Sequence, residues 1–299
     1  MKDFTGRTAF VTGGANGIGI GLVRALLAEG CNVALADIRQ SSIDAALQSL
    51  PGRQIMGVQL DVSSRTAMAK AADQVEARFG PVSLLFNNAG VNLFQTSEQS
   101  SFDDWEWVMG VNLQGPINGV VTFVPRMIAA AQGGYVVNTA SMAAFLAAGL
   151  PGIYNTTKFA VRGLSQSLRA SLAPHGIGVS VLCPGLVKSY IYASDDIRPD
   201  ALKAGARPVD VSNVKRLAEI HEFGMEPDVI AARVLDAMRE DRFHIFSHPE
   251  FKDELGEVFA EILGDFRDYP VDPGHNQRVD FEKTRRGSYR QQRKGVKGP

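Results

Sequence analysis

Near its start the chain reads Arg7-Thr-Ala-Phe-Val-Thr-Gly-Gly-Ala-Asn-Gly-Ile-Gly19, a short apolar run followed by a cluster of glycines. Residues 7–11 have the length and composition of a buried strand. Apolar residues then recur at helical spacing up to Gly30, a good helix C-cap; they are Leu22, Val23, Leu26 and Leu27. Glycines allow a backbone to approach a ligand closely, and the N–H groups at a helix start attract phosphate. Strand, glycine turn and helix in this order therefore predict a dinucleotide site.

The next predicted strand, residues 32–36, ends at Asp37, which stands 18 residues beyond Gly19. An acid at this point can accept hydrogen bonds from a ribose diol. The alternative interpretation is a tight turn between strand and helix that needs glycine for packing alone. The preceding strand, the following helix and Asp37 together favour a nucleotide. Because no Gly-Lys-Ser/Thr sequence follows the turn, a nucleoside triphosphatase is disfavoured.

Strands alternate with helices along most of the chain. Further strands are predicted at 54–60, 82–86, 135–138, 178–182 and 242–246. Helices are predicted at 42–50, from Ser63 or Ser64 to 79, over a long region 102–131, from Tyr154 onward and at 227–239. Apolar strands separated by helices indicate an α/β protein with one doubly wound parallel sheet of about seven strands and helices on both faces. Ligands of such sheets bind at the carboxyl ends of the strands, where we find Thr12, Asp37, Asp61, Asn87, Ser141 and Pro184.

Tyr154 and Lys158 are four residues apart, so on a helix they share one face. A phenol has an ordinary pKa near ~10, and a neighbouring ammonium favours the phenolate and lowers that pKa. The pair could therefore transfer a proton. A tyrosine packed on a lysine stem at a helix surface is the commoner case, and the remaining motifs must decide between the two interpretations.

Composition limits the class of protein. The 299 residues are 45% hydrophobic and 21% charged, which is ordinary for a soluble globular protein with one large core. Apolar runs stay well short of the ~20 residues of a membrane span, and the chain enters a strand pattern at once without a signal peptide. We therefore expect a cytoplasmic protein without a membrane interaction, in which Cys31 and Cys183 are reduced core thiols.

Charge is distributed unevenly along the chain. Residues 283–299 carry seven basic side chains and no acid; the remaining 24 basic and 32 acidic residues give the rest of the chain a net charge of −8. A nucleic-acid-binding protein usually has a basic face on its folded domain. We therefore expect no nucleic-acid partner and interpret residues 283–299 as a solvated, partly disordered end.

Taken together, the motifs resemble those of the short-chain dehydrogenase/reductase family over about residues 5–250. The resemblance rests on Thr12-Gly13-x-x-x-Gly17-x-Gly19, Asp61, Asn87-Asn88-Ala89-Gly90, Asn112, Ser141, Tyr154-x-x-x-Lys158 and Pro184-Gly185. It implies a Rossmann-type dinucleotide-binding domain at 1–250, with a lid at about 188–224. Residues 251–299 would add a C-terminal helix and a basic tail.

The resemblance also implies a role for each matching residue. Tyr154 would be the general acid/base, Lys158 would lower its pKa and bind the nicotinamide ribose, and Ser141 would hold the substrate oxygen. Asn112 would support a water that links Lys158 to solvent. The implied cofactor contacts are Thr12, Gly13, Asn16, Gly17, Ile18, Gly19, Asp37, Asp61, Val62, Asn88, Ala89, Gly90, Tyr154, Lys158, Pro184, Gly185 and Val187.

Charge at the adenosine end predicts the cofactor. Asp37 should repel a 2′-phosphate, which favours NAD over NADP, although Arg39 could soften the preference. No metal site is expected, because His244, His248 and His275 have no convincing ligand spacing. By the resemblance, the protein would be a homodimer or homotetramer that assembles through helices such as 102–131 and 154–173.

The predicted substrate is bulky and apolar. Residues assigned to its binding are Ser141, Phe145, Leu146, Tyr154 and Tyr190, with Leu93, Phe94 and Leu150 nearby. Such a wall suits an aryl or other hydrophobic alcohol better than a sugar. Apolar residues at 255, 258, 259 and 262 predict one amphipathic helix, and residues 269–282 are expected to be irregular.

Within the family, the chain is similar to bacterial Cα-dehydrogenases of lignin β-aryl ether breakdown. Those enzymes oxidise a benzylic secondary alcohol to an aryl ketone with NAD, which is the activity that the resemblance implies here. An NAD(P)-dependent carbonyl reductase or a hydroxysteroid-type dehydrogenase is the alternative within the family. From a different class, a non-catalytic NAD-sensing or nucleic-acid-binding protein stays open. A sensor could lose Tyr154, Lys158 or Ser141, yet all three are present.

Overall fold

The computed structural model of the protein describes residues 1–50, 52, 54–208 and 210–293. Its described residues form one seven-stranded parallel sheet with the order β3-β2-β1-β4-β5-β6-β7. The strands are β1 (Thr8–Thr12), β2 (Asn32–Asp37), β3 (Ile55–Gln59), β4 (Val82–Asn87), β5 (Gly134–Thr139), β6 (Ile177–Cys183) and β7 (His244–Phe246). The strand order reverses between β1 and β4, where a doubly wound sheet leaves a crevice for ligands.

Helices cover both faces of this sheet. They are α1 (Gly17–Ala28), α2 (Gln40–Ser49), α3 (Arg65–Phe79), α4 (Phe102–Met109), α5 (Gly115–Ala130), α6 (Gly152–Leu172), α7 (Val211–His221), α8 (Pro227–Arg239), α9 (Lys252–Gly264) and α10 (His275–Arg293). Apolar residues of α1, α2 and α8 form a core on one face, and those of α3, α5 and α6 form a core on the other. The central strands are therefore buried on both sides, which explains their unalternating apolar sequences. The predicted fold class is confirmed.

The start of α3 agrees with its prediction, whereas the region 102–131 differs from its prediction. Ser64 caps α3 as expected, because its hydroxyl accepts a hydrogen bond from the backbone N–H of Ala67 at 3.2 Å. The long region 102–131 is not one uniform helix. A π-helical turn, Gly110–Gln114, lies between α4 and α5 and contains Asn112. Such turns are frequent at functional sites because they rotate one side chain out of the regular repeat.

The segment between β6 and α8 contains the predicted lid, and it is held at two places. At its base, Val187 and Met225 form a parallel bridge, supported by a 3.1 Å hydrogen bond from Lys188 N to Met225 O. Further along, Arg198 forms a 2.8 Å ion pair with Asp104 of α4, and the two side chains are 1% and 0% exposed. The lid is thus anchored to the body of the domain by a buried charge pair.

The C-terminal segment corrects one expectation. The helix predicted around 255–262 is α9, but residues 269–282 and the tail from 283 were expected to be irregular, whereas α10 spans His275–Arg293. Exposed i,i+3 ion pairs such as Lys283–Asp280 support this helix, and Tyr289 contacts Gln166 of α6. An apolar repeat is weak here, so periodicity could not reveal the helix. The rest of the predicted tail, 294–299, lies outside the described residues.

Within the described ranges, no helix is both long enough and apolar enough to cross a bilayer.

Candidate active site

A cavity of about 810 Å³ runs along the carboxyl edge of the sheet. Residues at or just after the ends of six different strands border it, together with Tyr154 and Lys158 of α6; the six are Gly13, Asp37, Asp61, Asn88, Ser141 and Pro184. Parallel strands end at the same edge, so residues far apart in the chain converge there. Most of the implied cofactor contacts lie on this lining, including Asn16, Gly17, Ile18, Val62, Ala89, Gly90, Gly185 and Val187.

The glycine turn owes its shape to close backbone contacts. Gly13 and Gly17 have φ of +60° and +48°, which glycine adopts most readily. A Cβ on Gly13 would lie 2.9 Å from the Cα of Ala89, and one on Gly19 would lie 1.9 Å from the Gly13 carbonyl oxygen. The start of α1 thus packs on the glycine turn, and the turn packs on the segment that follows β4. Gly19 contributes to this packing and does not itself border the cavity, so its assignment as a cofactor contact stays a prediction.

Thr12 also lies behind the cavity rather than on it. Its hydroxyl accepts hydrogen bonds from the backbone N–H of Asn88 at 2.9 Å and of Ala89 at 3.1 Å. The Asn88 amide donates to Thr12 O at 3.1 Å and accepts from the Thr139 hydroxyl at 3.2 Å. This network joins the ends of β1, β4 and β5. Thr12 is 2% exposed, so its contribution is to position Asn88 and Ala89.

Acidic residues occupy one end of the cavity. The Asp37 carboxylate accepts hydrogen bonds from Ala15 N and Arg39 N, each at 3.3 Å, and therefore stays directed towards the glycine turn. Asp61 accepts from the backbone N–H and the hydroxyl of Ser63 at 2.9 Å and 2.7 Å. Asp37, Arg39 and Asp61 all border the cavity, so a negative and a positive side chain stand at the same rim.

Tyr154, Lys158 and Ser141 meet at the other end of the cavity. The Lys158 ammonium lies over the Tyr154 ring, 5.1 Å from its centroid, and donates a 3.0 Å hydrogen bond to Thr139 O. Ser141 Oγ accepts from Ala143 N at 3.1 Å and donates to Pro184 O at 3.4 Å. Helix α6 begins at Gly152, so both of its polar residues lie in the first two turns, beside the strand ends.

Burial changes the acidity of both α6 groups. It raises the pKa of Tyr154 from its ordinary 10.0 to about 12, although a hydrogen-bonding interaction with Ser141 acts in the opposite direction. Burial also lowers the pKa of Lys158 from 10.5 to about 8. The charged form is disfavoured in each case because water is excluded. In the protein chain alone desolvation is the largest effect on Tyr154, so its pKa is raised overall; the lowering effect expected of Lys158 stays a prediction.

Asn112 lies behind Gly90 and is 1% exposed. Its Oδ1 accepts from Val91 N at 2.8 Å, and its Nδ2 donates to Val91 O at 2.8 Å and to the Thr157 hydroxyl at 3.3 Å. A Cβ on Gly90 would lie 3.5 Å from Asn112 Oδ1 and 3.6 Å from Lys158 Nζ. The amide thus fixes the segment after β4 close to Lys158.

Four of the five predicted substrate residues border the cavity: Ser141, Leu146, Tyr154 and Tyr190. Phe145 does not, and its assignment is corrected. It is 7% exposed and packs under α9, with the Arg162 guanidinium 3.9 Å from its ring centroid and the Phe259 ring 6.3 Å away. Phe145 and Leu146 are adjacent, so sequence pattern alone could not tell which of them faces the cavity.

Several lining residues were not anticipated from the sequence. They come from the segment after β4, from α4, from the lid and from the C-terminal segment: Asn92, Trp107, His221, Phe251 and Glu254. None belongs to a motif, and long-range packing alone brings them to the cavity. The boundary proposed at residue 250 thus falls within a segment that borders the site.

The two cysteines are free thiols without a role in the site. Cys31 and Cys183 are buried and free, and burial raises the pKa of each thiol to about 12. Both therefore stay protonated at neutral pH. In the part of the chain that the structure describes, no group of three or more His, Cys, Asp and Glu side chains could hold a metal ion.

The chain resembles known proteins along nearly its whole length. Residues 7–198 match the model of the short chain dehydrogenase family. The C alpha-dehydrogenase of Sphingobium sp. strain SYK-6 is 38% identical over 284 residues, which are 94% of this chain and 93% of that protein. Two solved structures are similar over most of both chains.

The first of these structures is a short-chain dehydrogenase from Novosphingobium aromaticivorans. It is 61% identical, with a TM-score of 0.86, and the match covers 98% of this chain and 99% of that one. A short-chain dehydrogenase/reductase from Burkholderia phymatum in complex with NAD is 32% identical, with a TM-score of 0.84 and coverage of 91% and 100%. The chain thus belongs to the short-chain dehydrogenase family and is an oxidoreductase that uses a nicotinamide cofactor.

Proposed function

We propose that the protein transfers a hydride between NAD and a bulky aromatic secondary alcohol or its ketone, such as a lignin β-aryl ether Cα alcohol. One observation carries this proposal: Tyr154, Lys158 and Ser141 border the same cavity as the glycine turn. A proton-transferring phenol thus faces the space in which a dinucleotide would lie. A sensor or a nucleic-acid-binding protein would have no need of this combination.

The cavity lining offers a partner for each part of the cofactor. The N–H groups at the start of α1, from Gly17, would bind the pyrophosphate, as helix N-termini do. Asp37 would bind the adenosine ribose, and Asp61 with Val62 would flank the adenine. The segments 88–90 and 184–187 would hold the nicotinamide ring, which supplies the hydride acceptor or donor when the cofactor is bound.

Charge supports NAD rather than NADP. The Asp37 carboxylate would repel a 2′-phosphate, while Arg39 at the same rim is the residue that could weaken this preference. Unfavourable like-charge contacts of this kind cost several kcal/mol when they are partly desolvated. The NAD bound in the Burkholderia phymatum relative agrees with this choice.

In the proposed chemistry, Tyr154 takes the proton of the alcohol oxygen as the hydride leaves the carbon that bears it, and Tyr154 returns a proton to that oxygen in the reverse reaction. Ser141, whose hydroxyl donates to Pro184 O in the protein chain alone, would turn its hydrogen to the substrate oxygen. Because burial raises the pKa of Tyr154 to about 12, the phenolate needs positive charge nearby. A cation at about 5 Å supplies roughly 3 kcal/mol at an effective dielectric constant of 20, or about two pKa units. Lys158 is the cation that the chain provides beside Tyr154, with its Nζ 5.1 Å from the centroid of the phenol ring.

The remaining walls support an aromatic substrate. Apolar and aromatic side chains line this end of the cavity: Phe94, Trp107, Leu146, Leu150, Tyr190 and Phe251. The similarity to the Sphingobium C alpha-dehydrogenase extends over 94% of the chain and therefore includes residues 251–254, which carry Phe251 and Glu254. The C-terminal residues that border the cavity thus lie within the part of the chain that matches this relative. Their presence in the substrate wall supports an aromatic alcohol rather than a hydroxysteroid.

The test measures reduction of NAD and of NADP with a panel of benzylic aryl alcohols and hydroxysteroids. We expect Tyr154→Phe to lower kcat by about 10²- to 10⁴-fold, the usual contribution of a general acid/base, while the binding of NAD is retained. Tyr269→Phe is the matched control, because Tyr269 is 81% exposed. Undiminished turnover of Tyr154→Phe would refute the assigned chemistry, and activity confined to steroids would refute the aromatic substrate.

A further inference from the structure

His248 and Gly185 are brought together by the register of two neighbouring strands. In the parallel pair β6–β7, Cys183 is opposite Phe246. Gly185 and His248 each stand two residues beyond these partners, so both chains leave the sheet side by side. His248 is 4% exposed and belongs to no motif of the sequence.

The imidazole of His248 contacts the backbone of two successive residues. Its Nδ1 accepts a hydrogen bond from Gly185 N at 3.0 Å, and its Nε2 lies 2.8 Å from Leu186 O. A carbonyl oxygen can only accept, so Nε2 must carry the proton and Nδ1 must be the acceptor. The Ser247 hydroxyl, 2.9 Å from Nδ1, completes this arrangement as a second donor.

The ring also limits the space around the turn. A Cβ on Gly185 would lie 3.1 Å from Cγ and Cδ2 of His248 and 2.5 Å from Cε2 of Phe251. The turn 184–187 therefore lies flat between these two rings on one side and the cavity on the other. Its Pro184 carbonyl accepts from Met142 N at 2.9 Å and from Ser141 Oγ at 3.4 Å. The position of Ser141 is thus coupled to the position of the turn.

We propose that His248 is a positioning residue for hydride transfer. It touches neither cofactor nor substrate; it fixes the turn 184–187 against which the nicotinamide would lie, and through Pro184 O it fixes Ser141. This inference rests on the proposed function, which assigns the nicotinamide to this turn. Without the imidazole, a buried N–H would lose its partner and the turn would relax. Displacements of about 1 Å can lower a rate by about a hundredfold.

Three substitutions separate the two hydrogen bonds. His248→Asn keeps an acceptor for Gly185 N, His248→Gln keeps a donor for Leu186 O, and His248→Leu removes both. Leu186 O has a second donor in Met225 N at 2.9 Å, so the loss at Gly185 should have the larger effect. His175→Leu is the matched control, since this exposed histidine precedes β6 at the opposite edge of the sheet.

The measurements are the dissociation constant of NAD by quenching of protein fluorescence, kcat with a benzylic alcohol, and the melting temperature. We expect His248→Leu to weaken NAD binding and to lower kcat by about tenfold or more, His248→Gln to lie in between, and His248→Asn to stay nearest the wild type. His175→Leu should match the wild type in all three.

A lower melting temperature with unchanged NAD affinity and kcat would make His248 purely structural and would overturn the inference. If His248→Leu does not fold, the NAD affinity and kcat of His248→Asn and His248→Gln decide: the inference requires His248→Asn to lie nearer the wild type. Tyr154→Phe serves as the reference, because it should bind NAD but lose turnover. If Tyr154→Phe behaves so while the His248 variants match the wild type, the inference alone fails; if Tyr154→Phe keeps full turnover, the proposed function fails and the inference with it.

Discussion

Burial has the largest effect on the acidity of Tyr154 in the protein chain. The phenol and the Lys158 ammonium share one water-poor cleft, and each is pushed towards its neutral form. The pair therefore becomes an effective proton donor and acceptor only when further positive charge or hydrogen bonds favour the phenolate. Such tuning by burial and neighbouring charge is typical of catalytic groups.

Lys158 should give the stability of the cofactor-free protein a specific pH dependence. Burial lowers the pKa of Lys158 from 10.5 to about 8, so between these values the unfolded chain binds more protons than the folded one. Stability attributable to this group therefore rises with pH across the window, by up to about 3 kcal/mol. Burial raises the pKa of Tyr154 from 10.0 to about 12, so the contribution of Tyr154 to stability falls with pH only above pH 10.

Denaturant unfolding of the wild type and Lys158→Met at pH 7 and pH 9.5 tests the predicted effect of Lys158 on the pH dependence of stability. We expect the wild type to gain stability relative to the variant as the pH rises. Lys70→Met is the control, because Lys70 is exposed on α3 and should leave the pH profile unchanged. Parallel profiles for the wild type and Lys158→Met would contradict the expectation.

Asp37 should determine the choice between the two nicotinamide cofactors. Asp37→Ser removes the charge that would repel a 2′-phosphate and leaves Arg39 at the same rim. We expect the ratio of kcat/KM for NADP to that for NAD to rise by at least about tenfold. Steady-state kinetics with both cofactors measure this ratio, and Asp44→Asn, an exposed carboxylate on α2, is the control. An unchanged ratio would mean that another residue sets the preference.

Among the elements, the lid is distinctive because a buried ion pair anchors it. Arg198 contacts Asp104 at 2.8 Å and Asp195 at 2.7 Å, and its guanidinium lies 4.5 Å from the Trp107 ring centroid. Asp104 also completes the capping box of α4 by accepting from Ser101 N at 2.9 Å. One carboxylate thus connects the start of α4 with the lid.

Arg198→Met should leave the Asp104 carboxylate buried without its cation. We expect a loss of about 3–5 kcal/mol in the free energy of unfolding, and a higher KM for the alcohol because the lid borders the cavity. Chemical denaturation and steady-state kinetics measure the two effects. Lys203→Met is the control, since its ion pair with Asp200 is exposed and should contribute less than about 1 kcal/mol. Equal stability losses in the two variants would show that the buried pair has no special role.

For the molecule as a whole, the expected self-association should involve the helices on one face of the sheet. Helices α5 and α6 cover the same face of the sheet, and Val121 of α5 and Phe159 of α6 are 67% and 42% exposed. Large apolar side chains exposed on the same face are the residues through which an interface on that face would pack. We expect a homodimer or homotetramer that uses this surface.

Sedimentation of the wild type and of Val121→Glu/Phe159→Glu tests the assembly. The double variant should shift the protein to the monomer, because two charges would be buried without partners in the interface. Phe223→Glu on the lid, where Phe223 is 87% exposed, should leave the assembly intact. A monomeric wild type, or an unchanged double variant, would refute this interface.

Local periodicity and contiguous motifs were enough to predict the parallel sheet, the glycine turn and the α6 pair Tyr154 and Lys158. These features depend on residues that are neighbours in the chain, and the strand ends must then converge because all strands are parallel. Even so, the cofactor contacts implied by the resemblance include Thr12 and Gly19, neither of which borders the cavity. Residue type indicated the right region but not the side that each residue faces.

The other features of the site depend on long-range contacts. The raised pKa of Tyr154, the burial of Phe145 under α9 and the Arg198–Asp104 pair all depend on segments far apart in the chain. The same is true of His248, whose contact with Gly185 follows from the register of β6 and β7. Burial and partner choice are properties of the packed molecule, because desolvation and hydrogen bonding depend on which surfaces meet, and no local pattern in the chain encodes that meeting.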